Sequence, residues 1–202
     1  MTWARVDSFR SRRRALGVGV AAIALAVVAA SAYQRLHTPE WSSDGPVRLP
    51  FEHGYVIRYR VGEVFTDGLE RIKLEGNEPA VLRRVEITGP SADHFRIVGV
   101  MVAGPHRRLG SWQVSDGYPP RKPGLGELLP VKDAPLATGI VGSLLLIGLK
   151  VVKPGLGVRT GVRVFYTVGD RRYTALLPAS IANCPGGMST DQCQEAYLKA
   201  AG

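Results

Sequence analysis

Two hydrophobic patterns divide the chain. From Ala15 to Ala32 it reads ALGVGVAAIALAVVAASA, with no charge and no proline, directly after Arg10, Arg12, Arg13 and Arg14. A membrane-spanning helix needs about 20 apolar residues, and this run with Tyr33 reaches that length. Inside lipid the backbone must satisfy its own polar groups, which favours the helix despite Gly17, Gly19 and the valines. The pattern predicts a basic cytoplasmic tail over 1–14 and a transmembrane anchor over 15–33. The Arg cluster holds the N-terminus inside, and Tyr33 and Trp41 fall near the outer interface. A second reading is a cleaved signal peptide, because Ala30-Ser31-Ala32 fits the small-residue cleavage pattern and would release a secreted chain after Ala32. Ser11-Arg12-Arg13 carries a hint of a twin-arginine signal, with Ala15 where a bulkier residue is expected. A buried soluble helix would show a polar face, and this run has none.

After a polar, turn-rich spacer over 34–50, the period changes to two. Tyr55, Ile57, Tyr59 and Val61 alternate with Val56, Arg58 and Arg60, as in a strand with one buried and one wet face. Similar runs follow at Leu69–Leu74, Leu82–Thr88, Phe95–Val102, Leu144–Val152, Gly161–Val168 and Tyr173–Leu177. Turn signals stand between them, among them Gly62, Gly76-Asn77, Gly89-Pro90 and Pro154-Gly155. Val168-Gly169-Asp170-Arg171 suits a tight hairpin. About seven strands with no helix between them predict a mainly β domain over 51–182, an antiparallel β-sandwich. The apolar run 134–152 has a competing reading as a second span. Pro135, Gly139, Gly142, Gly148 and Lys150 interrupt it, and its alternation suits a buried strand.

Charge changes the picture little. The formal net charge is +9; residues 1–14, with five Arg and one Asp, account for +4, leaving about +5 spread thinly over the rest. No basic helix, aromatic-interleaved basic strand or zinc-finger spacing accompanies it, so nucleic acid is not an expected partner.

The two cysteines, Cys184 and Cys193, flank a Pro185-Gly186-Gly187 turn. In an oxidising compartment such a pair most simply forms a disulfide. Ser189 and Gln192 stand at capping-box spacing and predict a short helix to about Ala200, giving a disulfide-linked helical tail over 183–202. A structural zinc wants four ligands, and no histidine lies near the pair in sequence. No metal or other cofactor is expected.

The layout resembles the single-pass envelope proteins of actinobacteria whose outer part is an immunoglobulin-like sandwich. The resemblance rests on Leu146-Ile147-Gly148-Leu149, the Pro154-Gly155 turn, Gly161–Val168 and the Arg172-Tyr173 hairpin arm, and covers about the last sixty residues. It implies an immunoglobulin-like fold at the plasma membrane and no particular activity. A β-rich outer domain with a late cysteine is also similar to the sortases. That likeness breaks down because no Thr-Leu-x-Thr-Cys run is present, no Arg follows Cys184, and Cys193 stands beside it.

No hydrolase elbow or His-Glu-x-x-His helix occurs. Asp93-His94, with Ser91 nearby, is an adjacent acid and imidazole pair, read as a solvated turn. Lys-Pro-Gly-Leu-Gly occurs at Lys122–Gly126 and Lys153–Gly157, both turns rather than phosphate loops. The long irregular stretch Gly104–Pro135, with a brief strand around Trp112–Ser115, carries His106, Arg107, Arg108, Trp112, Tyr118 and Lys122. An aromatic among cations on a long loop marks it as the candidate contact surface. The expectation is a non-enzymatic binding or structural module whose partners are the membrane and an envelope protein or wall component. The alternatives are an accessory subunit acting through its anchor helix, and an envelope enzyme of unrecognised type.

Overall fold

The computed structural model describes residues 40–48, 53–68, 71–103, 114–121, 125–132, 134–138 and 142–201. The predicted tail and anchor, with Arg10, Arg12, Arg13 and Arg14, lie outside these residues, as does the Ala32 junction. Among the described residues no helix is long and apolar enough to cross a membrane.

The fold is built around one strand. Ser143–Val151 (β10) carries SLLLIGLKV, and all of it except Lys150 is buried. A strand with apolar residues on both faces is stable only between two layers. Leu145, Ile147, Leu149 and Val151 enter the main core. Leu144 and Leu146 point the other way, into a small cluster with Ala103 and Leu125. Residues 143–151 of the run read as a possible second span are thus the central strand of a sheet. Phe95–Ala103 (β6) pairs antiparallel along one edge of β10, and Val64–Asp67 (β3) and Arg71–Leu74 (β4) share the other. Val47–Arg48 (β1) adds to β4, Val114–Asp116 (β7) to β3 and Leu128–Pro130 (β8) to β6.

A second sheet has the order β13-β12-β5-β9, where β5 is Ala80–Thr88, β9 Ala134–Leu136, β12 Gly161–Val168 and β13 Arg171–Leu177. The turn between β12 and β13 falls where the sequence places it, with Val168 opposite Arg171 and Gly169 at φ 54°. The third sheet runs β11-β14-β2, where β2 is His53–Ile57, β11 Gly157–Arg159 and β14 Ala179–Asn183. Here β11 and β14 extend the β12–β13 hairpin beyond Thr160 and Pro178, and β14 pairs in parallel with β2. The remaining ladders are antiparallel.

The mainly β expectation holds, with antiparallel sheets and one short C-terminal helix, but several details are corrected. Fourteen strands occur among the described residues in three sheets. The strand expected over Tyr55–Val61 ends at Ile57; Val61, 54% exposed, belongs to the turn at Gly62. The spacer expected over 34–50 is already part of the domain at its end. The compact unit starts at Trp41, Ser42 bridges Tyr173 of β13, and Val47 is buried in the core.

The C-terminal helix (α1) spans Thr190–Ala201. Its capping box forms as the sequence indicates: the Gln192 backbone N–H donates to Ser189 Oγ at 3.2 Å, and the Ser189 backbone N–H donates to Gln192 Oε1 at 2.9 Å. Cys184 and Cys193 lie at disulfide distance, with Cα atoms 5.9 Å apart, and both are buried. Tyr197 packs over Gly54 of β2, where any side chain would overlap its ring.

Candidate binding face

The interior polar groups lie mainly where the sheets meet. Asp67 and Arg159 are both fully buried and paired, with Arg159 Nη1 2.7 Å from Asp67 Oδ2. Tyr55 donates its hydroxyl to Asp67 Oδ1 at 2.8 Å. This ties β2, β3 and β11 together. Two charges survive at such depth because each satisfies the other; either alone would be strongly unfavourable. Nearby, Asn183 Oδ1 accepts the Tyr59 N–H at 2.8 Å while its Nδ2 donates to the Tyr59 carbonyl at 3.0 Å. With the amide oriented by those two bonds, Nδ2 faces His94 Nε2 at 3.2 Å, so Nε2 is the acceptor and the imidazole is neutral. Burial lowers the His94 pKa; Asp93 raises it and Lys153 lowers it again, both to a smaller degree. Tyr59 donates its hydroxyl to Asp116 at 2.7 Å. Burial, then this bond and the carboxylates of Asp116 and Glu63, push the phenol well above its usual range.

Asp93-His94 is therefore not a solvated turn. Asp93 is exposed and pairs with Lys153, which lowers its pKa, but His94 is 3% exposed, its ring packed on Gly157. Ser91 is absorbed by the backbone: its Oγ accepts the Val158 N–H at 2.6 Å. The three do not assemble into a catalytic set. Among the described residues no group of three His, Cys, Asp or Glu is arranged to hold a metal.

Of the residues assigned to the candidate contact surface, His106, Arg107, Arg108, Trp112 and Lys122 lie outside the described residues. Tyr118 is half-buried. Its ring lies in a slot formed by Gly99 of β6 and Gly148 of β10, which stand opposite each other in register; a Cβ on either would overlap the ring. Burial raises the Tyr118 pKa. This residue fills the outside of the central sheet rather than standing free.

The outer face of the four-stranded sheet carries the composition expected of the loop. Along β12, Val162, Val164, Tyr166 and Val168 turn inward, leaving Arg163, Phe165 and Thr167 outward. A register shift between Phe165 and Tyr166 lets β5 place two successive residues, Arg83 and Arg84, on the outside. The Arg84 guanidinium sits 4.0 Å over the Phe165 ring, and Trp41 meets that ring edge-on at 5.1 Å. Arg172 lies 5.7 Å over Trp41. The cations stack on aromatic faces, a geometry that keeps guanidinium groups ordered while leaving their charge facing water. Glu86 pairs with Arg84 at 3.2 Å. Arg163 stands exposed between Glu86 and Leu176 in the cross-strand register. Beside them opens a cleft of about 520 Å³, whose lining includes Ser43, Val47, Arg163, Phe165 and Leu176. A second cleft, about 550 Å³, lies along α1 between Pro185, Met188, Ala196 and Lys199.

The β12 alternation marked the outward positions of Arg163 and Phe165 in the sequence. Trp41 gave no such signal, because a tryptophan close to an apolar run reads as an interfacial anchor, and the bulge at Arg83-Arg84 has no local signature. No protein-family model matches the chain, and no curated protein matches it in sequence.

Proposed function

We propose that this chain is an extracytoplasmic binding module, held at the plasma membrane by residues 15–33 with its N-terminus cytoplasmic, and that the outer face of the four-stranded sheet contacts a protein or wall polymer of the envelope. The observation that carries this reading is the cation and aromatic array of Arg84, Phe165, Trp41, Arg172 and Arg163 beside a cleft. Such an array suits an acidic partner, since exposed guanidinium groups speed encounter and select charge. The cysteine pair at disulfide distance supports an oxidising compartment. Engagement of Ser91, Asp93 and His94 by the fold supports a binding protein over an enzyme. For the architecture, we propose a divergent immunoglobulin-like domain. Antiparallel sheets over a shared core support the kinship, and the parallel β2–β14 ladder departs from it.

The test is photo-crosslinking in intact cells with a diazirine amino acid at position 163 or 84, compared with position 73 on β4. Crosslinks to one envelope component from 163 and 84 but not from 73 are expected. Equal crosslinking from all three positions, or from none, would refute the face.

A further inference from the structure

His94 stands where several chain segments meet. It ends a 3-10 turn, Ala92–His94, and its ring packs on Gly157 of β11 and edge-on against Phe95 at 5.1 Å. Asn183, the last residue of β14, links that ring to the chain between β2 and β3. Its Oδ1 accepts the Tyr59 N–H at 2.8 Å, while its Nδ2 donates to the Tyr59 carbonyl at 3.0 Å and to His94 Nε2 at 3.2 Å. The Tyr59 ring in turn stacks on Phe65 with centroids 4.6 Å apart. This relay holds Tyr59 only while Nε2 is an acceptor.

A proton taken from solvent at Nε2 turns the acceptor into a donor facing a donor. Gly157 and Phe95 fix the ring, so the amide is the group that turns. Once reversed, Asn183 offers Oδ1 to the imidazolium, but it then sets Nδ2 against the Tyr59 N–H and Oδ1 against the Tyr59 carbonyl. Both bonds to Tyr59 are lost together. The flanks stay tied: the Cys184 N–H donates to the Ile57 carbonyl at 3.0 Å, Arg58 Nη1 to the Met188 carbonyl at 2.7 Å, and the Gly62 N–H to the Val151 carbonyl at 2.8 Å. The stretch set free is therefore 59–61.

The charged groups that act on the ring are Asp93 of its own turn and Lys153 after β10, and these two pair with each other. From β11 the ring meets Gly157, and Arg159 beyond it is bound to Asp67. From β14 it meets the neutral Asn183, and in the β2–β3 turn the Glu63 carboxylate accepts the Arg60 N–H. Burial outweighs Asp93 and keeps the imidazole neutral until the solution is more acidic than a free imidazole requires. We infer that His94 is an acid-operated release, whose protonation turns the Asn183 amide and frees 59–61 while the sheets stay intact. The device is independent of the binding face proposed above.

The test is a nuclear magnetic resonance titration of the nitrogen-15-labelled full chain in detergent micelles from about pH 7.5 to about pH 4.5, following the His94 ring nitrogens and amide protection together. As the ring becomes imidazolium, the protection factor of the Tyr59 amide should fall by about tenfold or more, while that of Ile147, in the central strand between β3 and β6, is unchanged. Asn183→Asp supplies a carboxylate that accepts from both the Tyr59 N–H and the imidazolium, so this variant should keep the Tyr59 amide protected in acid. The proposal is overturned if Tyr59 stays protected in the unmodified chain after His94 has titrated, or if the ring remains neutral to the end of the range. Equal loss at Tyr59 and Ile147 overturns it too, because that is unfolding of the whole domain. So does a Tyr59 amide that is lost in the folded Asn183→Asp chain as it is in the parent.

Discussion

The Asp67–Arg159 pair shows how much a single side chain can decide in this protein. Replacing Asp67 with Ala leaves a fully buried guanidinium without its carboxylate, and a loss of about 3–5 kcal/mol is expected in denaturant unfolding. Gly148 works through space rather than charge. Gly148→Ala pushes a methyl into the Tyr118 ring and should cost about 1–3 kcal/mol. Combining it with Tyr118→Ala should restore part of that loss, a coupling that a double-mutant cycle measures directly. His94 sets a pH dependence. Its folded pKa is depressed by burial, whereas the unfolded imidazole titrates near 6.5. The unfolded chain therefore binds more protons below that value. Stability contributed by the neutral imidazole is present above pH 6.5 and is lost as pH falls toward the folded pKa. Unfolding midpoints at about pH 7.5 and about pH 5 should differ in that direction, and His94→Leu should flatten the difference. None of these three contacts was legible in the sequence. Asp67 and Arg159, or Gly148 and Tyr118, meet only through sheet pairing, and a histidine beside an aspartate reads as wet until its packing on Gly157 is known.

At the level of elements, the readable parts are those whose pattern is local. The unbroken LLLIGL run, the alternating arms of the β12–β13 hairpin with its Gly-Asp turn, and the Ser189–Gln192 capping box each lie within one segment and were correctly placed. Strands β3, β11 and β14 were missed because each is three to five residues long. Small or polar residues such as those of Ala179–Asn183 carry no alternation. The tail offers an element-scale prediction. The loop between Cys184 and Cys193 is short, so a bond there contributes roughly 2–3 kcal/mol. Cys193→Ser should lower stability by about that amount and free α1, read as a rise in Tyr197 accessibility over Gly54. Ser189→Ala, which removes the cap alone, should cost about 1 kcal/mol.

At the scale of the whole molecule, the proposed address and the proposed face are tested separately. Bulky maleimide labelling of membranes, with and without reduction, should modify Cys184 and Cys193 only after reduction if the domain lies outside; free labelling without reduction would count against the oxidising address. The parallel ladder of β2 with β14 has a further consequence, for the order in which the domain is completed. It sets Ala179 opposite His53 and Asn183 opposite Ile57, joining strands from the two ends of the domain. Such long-range closure is slow, because its loop entropy must be met before any contact forms. An emerging chain thus holds its central sheet and hairpin arms without closure until the segment 179–183 is present. Nascent chains halted before Ala179 should stay protease-sensitive in β2, and those extended past Asn183 should become protected together. With that outcome, the last strand is a latch that keeps the polypeptide loosely folded while it is still being made.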